Sequence, residues 1–285
     1  VPLRLLVVLT LLLAGCGRTP DDRTSDDTAA FDLLTQTGSY DRVNSVLVSA
    51  EHRLIGECMS KRGRSYLPPD QVPATPDSTV EGRRAGGYGL YEQYTGTKQD
   101  VTANDAHVSE LAPADQDAYE EALVGTDGER RAIKLSNGGT VSFAGGGCQA
   151  EAQRTLYGDV VEWARITYVP QALHLTLAKQ VEKDQEYLAA IREWSRCMSG
   201  RGFQVTSPEA AQDELKDLYG RQGPSPELRA REIATAVADG ECAEQGGVPD
   251  LVLRIKHRLV AELPEVDRVD LHRVAKAWTE AAAKA

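Results

Sequence analysis

The sequence predicts a mainly α-helical protein made of two diverged, disulfide-stapled helical units, the first interrupted by a loop-rich insertion with a short β-hairpin. Three observations predict it. Long segments repeat apolar residues at helical spacing: Val43, Leu47, Ala50, Leu54 and Cys58 fall on one face, as do Leu173, Leu177, Val181, Leu188, Ile191 and Met198. The segment Cys58-Met59-Ser60-Lys61-Arg62-Gly63 returns as Cys197-Met198-Ser199-Gly200-Arg201-Gly202, alike at five of six positions, and the two copies hold the only two methionines. Besides Cys16 there are four cysteines, an even number that in an exported chain reads as two bridges.

In chain order, Arg4 and the apolar run Leu5 to Leu13 have the charge and length of a signal peptide, far short of the ~20 residues that span a bilayer. Leu13-Ala14-Gly15-Cys16 matches the bacterial lipobox at all four positions. The match implies removal of residues 1–15 and diacylglyceryl attachment at Cys16. Two or more acyl chains hold a protein stably on a membrane where one does not. Residues 16–38, with Gly17, Pro20 and paired aspartates, read as a disordered polar tether. The first unit is expected over 39–165 and the second over 166–285, as an internal duplication. Helices are expected near 40–61, 149–157, 159–168, 171–199, 226–245, 249–263 and 265–283, with Pro170, Pro249 and Pro264 at starts or breaks. The insertion, about 68–147, opens Pro-rich and continues through Gly86-Gly87-Tyr88-Gly89-Leu90-Tyr91-Glu92-Gln93-Tyr94. A short helix follows from Pro113 to Leu123, then a hairpin of 133–136 with 140–143 around Asn137-Gly138-Gly139.

The duplication points to one bridge per unit, Cys58–Cys148 and Cys197–Cys242, with crossed pairing between the units as the alternative. Paired Cys-Met sequences also suit a soft metal such as Cu(I). Without a C-x-x-C spacing or a His-rich tract, half-cystines with methionine filling the core beside them is the preferred reading, so no metal and no cofactor is expected.

Composition narrows the function. With residues 1–15 removed, Arg4 alone is lost and the net charge moves from −11 to −12. That balance argues against nucleic acid and against electrostatic attachment to anionic lipid. The bias of 23 Arg over 9 Lys suits a GC-rich genome. His52, His107, His174, His257 and His272 are scattered, and no H-E-x-x-H or G-x-S-x-G is present. Thr95-Gly96-Thr97-Lys98 resembles a strand of penicillin-interacting enzymes but lacks its partner motifs and reads as loop. Gly145-Gly146-Gly147 lacks the Lys-Ser/Thr of a phosphate loop. Glu120 and Glu121 are adjacent on a helix and point apart, poor geometry for acid–base work. No catalytic residue is assigned. Tyr88, Tyr91 and Tyr94, set among glycines in a long loop, are the candidate partner-contact residues, because such loops form recognition surfaces; the preferred alternative is that the rings cap the small core beneath the insertion.

The order of these features resembles uncharacterised secreted lipoproteins of actinobacteria. The likeness is carried by the lipobox, the duplicated Cys-Met-Ser-x-Arg-Gly motif, Tyr119 to Gly125, Gly146 to Ala152 and Leu156-Tyr157-Gly158-Asp159. It covers most of the chain beyond Cys16 and implies location and disulfide content, not a reaction. The expectation is a non-catalytic binding or scaffold protein of the cell envelope, lipid-anchored at the outer face of the cytoplasmic membrane through Cys16. Its partner would be an envelope protein or cell-wall material, with deletion of 80–100 leaving the fold intact. The alternatives are a cell-wall-acting enzyme using carboxylates and a solute-capturing partner of a transporter.

Overall fold

A computed structural model describes residues 20–69, 78–96 and 102–285. The lipobox, the proposed lipidation site Cys16, Pro73, Pro76 and Lys98 lie outside the described residues. The chain is mainly helical, with a single two-stranded antiparallel sheet among the described residues.

The first element is already a departure from expectation. Helix α1 covers Pro20–Thr35, where a disordered tether was read. Its polar start conceals an apolar end: Ala30, Phe31, Leu33 and Leu34 are all buried. Burial of such side chains contributes about 1.5–3 kcal/mol each for the larger ones, enough to order a short segment that has a surface to meet. That surface is α13 (Glu265–Lys284), through Leu271, Val274, Ala275, Trp278 and Ala281. Phe31 also stacks on His257 of α12 (Val248–Ala261).

A tight reversal then leads into α2 (Tyr40–Lys61). Buried Asp32 accepts hydrogen bonds from the Ser39 backbone N–H and hydroxyl, both at 2.8 Å, and pins the turn. Helix α2 packs on α7 (Gly147–Tyr157) and joins the main core through Val43 and Leu47. That core also takes Ile166, Val169, Leu173 and Leu177 from α8 (Val160–Val181). It therefore draws on both sequence stretches, while the smaller clusters around the two bridges each stay within one stretch.

Helix α8 corrects a second expectation. It runs through Pro170 without a break, and the chain turns instead at 182–184 before α9 (Gln185–Gly200), which Asp184 caps through the backbone N–H groups of Glu186 and Tyr187. A proline inside a helix costs about 3 kcal/mol. Here Val169, Pro170, Ala172, Leu173 and Leu177 continue one buried stripe, and packing offsets that cost.

The duplicated motifs build the same helix end. Arg62 N–H donates to the Cys58 and Met59 carbonyls, and Arg64 N–H returns to Met59; Arg201 and Phe203 repeat this on Cys197 and Met198. Gly63 and Gly202 follow at φ +72° and +92°, the left-handed conformation that terminates a helix and favours glycine. Met59 and Met198 are both fully buried. The bridges are Cys58–Cys148, joining α2 to α7 with Cα atoms 5.6 Å apart, and Cys197–Cys242, joining α9 to α11 (Pro226–Gln245) at 5.8 Å.

Short helices α3 (Val80–Gly86), α4 (Leu90–Thr95) and α5 (Ala103–Ser109) occupy the insertion, followed by α6 (Pro113–Val124). The hairpin pairs β1 (Arg131–Lys134) with β2 (Thr140–Phe143), Ile133 opposite Val141. The first strand thus starts two residues earlier than expected, because a wider loop closes by Leu135 N–H to Gly139 O. Ile133 and Phe143 then reach Ala150, Val160 and Ala164. Helix α10 (Pro208–Gln222) was not anticipated, although Ser207 caps it through the Ala210 N–H and Ala211, Leu215 and Tyr219 repeat every four residues.

Candidate functional site

Helices α2 and α8 face one another across a cleft of about 450 Å³. From α2, Tyr40, Asn44, Leu47, Val48 and Glu51 recur every three to four residues along it. From α8, Trp163, Ile166, Thr167, Pro170, Gln171 and His174 do the same. Leu33 and Leu34 of α1 and Trp278 of α13 complete the walls. The volume and mostly apolar lining are those of a small-molecule site.

Polar groups sit at the two ends and, as Asn44, Thr167 and Gln171, between them. At one end Glu51 is half-buried and accepts a hydrogen bond from Gln153 Nε2 at 3.2 Å. Withdrawal from water raises the Glu51 pKa above the ordinary carboxylate value, opposed in part by the Gln153 amide. Beside it, burial and then the Glu51 carboxylate push the Tyr157 phenol up, so Tyr157 stays neutral. Gln153 is itself buried, and its Oε1 has no partner among the described residues.

At the other end His174 Nδ1 lies 3.1 Å from the Leu34 carbonyl. A carbonyl only accepts, so Nδ1 is the donor in this contact. Gln36 closes this end, its amide donating to the Tyr40 hydroxyl at 3.5 Å. It is the only non-glycine at positive φ (+56°) among the described residues. Gln36 ends α1, with Thr37 N–H bonding back to Asp32 O in the manner of a helix cap usually made by glycine. A side chain has been kept where its backbone is strained, and that side chain lines the cleft.

Of the three loop tyrosines, two lie as the capping alternative places them, packed on Leu90, Leu215 and Leu228. Tyr88 and Tyr91 are half-buried against α11, and only Tyr94 is exposed. Glu232, with no exposure, accepts from the backbone N–H groups of Tyr88, Leu90 and Tyr91 at 2.8–2.9 Å and from the Tyr219 hydroxyl at 2.7 Å. Two turns along, buried Asp239 accepts from Arg83, the Tyr88 hydroxyl and Trp194 Nε1. A side chain at Gly87 would bring its Cβ within 2.9 Å of Glu232, so the close approach requires glycine. Tyr94 stacks on Tyr219 with ring centroids 5.1 Å apart, and its hydroxyl donates to Lys216 O. The glycine–tyrosine segment is a clasp holding α3 and α4 onto α11, and the Glu232 and Asp239 carboxylates of α11 are occupied by donors. Glu232 and Asp239 escaped sequence reading as ordinary helix charges; their seven-residue spacing on one face was the available signal.

Among the described residues the cleft offers one carboxylate, and no group of three potential metal ligands is present. No described helix is long and apolar enough to cross a membrane. Comparison with protein-family models, with curated proteins and with solved structures yields no match, so function is argued from this chain alone.

Proposed function

We propose that this chain is a non-catalytic, ligand-binding lipoprotein of the cell envelope, held at the outer face of the cytoplasmic membrane by acyl chains on Cys16. The observation that carries the binding role is the α2–α8 cleft, with a mostly apolar lining and a few polar side chains, Glu51 and His174 among them at its two ends. The lipobox at Leu13 to Cys16 supports the address, and two bridges suit an oxidising compartment.

Two measurements test the two halves of this reading. Cells expressing the chain and fed an alkyne-tagged palmitate should label it, and Cys16→Ala should abolish the label. For the cleft, purified protein incubated with an organic extract of the envelope should retain a small molecule, identified by mass spectrometry, that Asn44→Trp fails to retain. Equal retention by both proteins, or none by either, counts against the cleft as the site.

A further inference from the structure

Resting on the binding reading above, the chemistry of the cleft walls goes further and selects a ligand class. We propose that the cleft takes an amphiphilic organic cation, its ammonium group at Glu51 and its apolar tail along Leu47, Ile166 and Leu34 toward His174.

Charge makes the first argument. Glu51 is the single carboxylate among the lining residues, and no Lys or Arg lines the cleft. Its one hydrogen-bonded neighbour among the described residues is the neutral Gln153 amide. A carboxylate drawn from water without a cation is costly, and a ligand ammonium supplies the missing counterion. Anionic head groups meet the opposite situation: like charge at Glu51, on a chain of net charge −11.

Aromatic placement is the second argument. Tyr157, the last residue of α7, lines the cleft beside Glu51, and Trp163 in the first turn of α8 lines it too. Aromatic rings lining a site attract an ammonium through the ring quadrupole, most strongly for Trp. Both phenols near Glu51, Tyr157 and Tyr66, are raised by burial first, so neither adds a competing negative charge at neutral pH.

Shape is the third. From Tyr40 to Glu51 the α2 wall advances by about 16 Å at 1.5 Å per residue. The contacts Gln36–Tyr40 and His174–Leu34 mark one end, and Gln153–Glu51 the other. Between them lie Leu47, Val48, Ile166 and Pro170, with Asn44, Thr167 and Gln171 interspersed. An extended, largely apolar tail matches the length and the apolar side of that wall.

The test uses the chain from Gly17 onward, which contains every described element and both bridges. Four probes of one tail length are titrated below their micelle-forming concentrations: dodecyltrimethylammonium, dodecylammonium, dodecanol and dodecanoate. Fluorescence of Trp163 and Trp278 reports occupancy, and calorimetry gives the affinity. Both cations should bind at least tenfold more tightly than dodecanol, with dodecanoate weakest. Glu51→Gln, which keeps an acceptor for Gln153, should remove the advantage of the cations and leave dodecanol unchanged, and Glu51→Asp should restore part of it. Asn44→Trp should weaken all four. Dodecanol binding as tightly as the cations, or cation affinity unmoved in Glu51→Gln, overturns the cation assignment and leaves the cleft as a binding site. Binding of no probe by the wild type, or equal binding by Asn44→Trp, overturns both.

Discussion

Two side chains at opposite ends of the cleft, Glu51 and Gln36, each carry a stability cost that binding would justify. The folded-state pKa of Glu51 is raised by desolvation above its ordinary 4.5, so the folded protein holds that proton at pH values where the unfolded chain has released it. The resulting stabilisation is complete below about pH 4.5 and declines as pH rises toward the folded-state value. Tyr66, raised to about 12, and Tyr157 face Glu51 and do not titrate in that window. Urea unfolding should therefore show wild type and Glu51→Gln alike at about pH 4, with Glu51→Gln the more stable at about pH 8. A difference that grows as pH falls would contradict the desolvated carboxyl. At Gln36, replacement by glycine removes the left-handed strain of φ +56° while loosening the unfolded chain. Gln36→Gly should gain about 0.5–1 kcal/mol in denaturant titrations and lose ligand affinity if the amide contacts the ligand. None of this was visible in the sequence: Gln36 fell in the stretch read as a tether and Glu51 in a helix with nothing to single it out, since only tertiary packing tells which face of a helix is half-closed.

Among the elements, those with strong apolar periodicity were legible. Helix α2, the run of helices from α11 to α13 and the short helix α6 lie close to where spacing places them. The elements that escaped are those whose order comes from elsewhere in the chain. Helix α1 depends on α13, α10 on the α11 face, and α3 and α4 on two buried carboxylates. Proline and glycine misled for the same reason, because a local rule was outweighed by burial at Pro170 and redirected to a carboxylate at Gly87. The clasp reverses an expectation about deletion. Removing 80–96 would uncover Leu215, Tyr219 and Leu228 and leave Glu232 without its backbone donors. Rather than leaving a folded protein, the deletion should lose cooperative unfolding or cost several kcal/mol. Glu232→Ala is the milder test: four donors lose their acceptor, and about 3 kcal/mol or more should disappear from the unfolding free energy. A loss under ~0.5 kcal/mol, the range of an ordinary surface substitution, would refute the clasp.

For the molecule as a whole, the two covalent bridges and the shared core act on different contacts. The bridges tie neighbouring helices, α2 to α7 and α9 to α11, closing sequence separations of 90 and 45 residues. In the chain-entropy view each contributes about 4 kcal/mol by restricting the unfolded chain. The core containing Leu34, Leu47, Leu173 and Trp278 unites the two ends of the described chain, which no bridge does. Residues 20–36 should therefore be needed for stability. A chain starting at Thr37 should melt at a lower temperature by circular dichroism and lose burial of Trp278, seen as a red shift in fluorescence. An unchanged melt would restore the flexible-tether reading.

That docked first helix also sets a mechanical distance. From Cys16 to Pro20 the backbone spans at most about 14 Å. With acyl chains on Cys16, as proposed, the protein has no long leash and works against the bilayer surface, α1 serving as a strut. The strut ends in Leu33, Leu34 and Gln36, which line the cleft. Tilting the body on its anchor would load the cleft wall directly, so the geometry of attachment and the grip on a ligand share one helix.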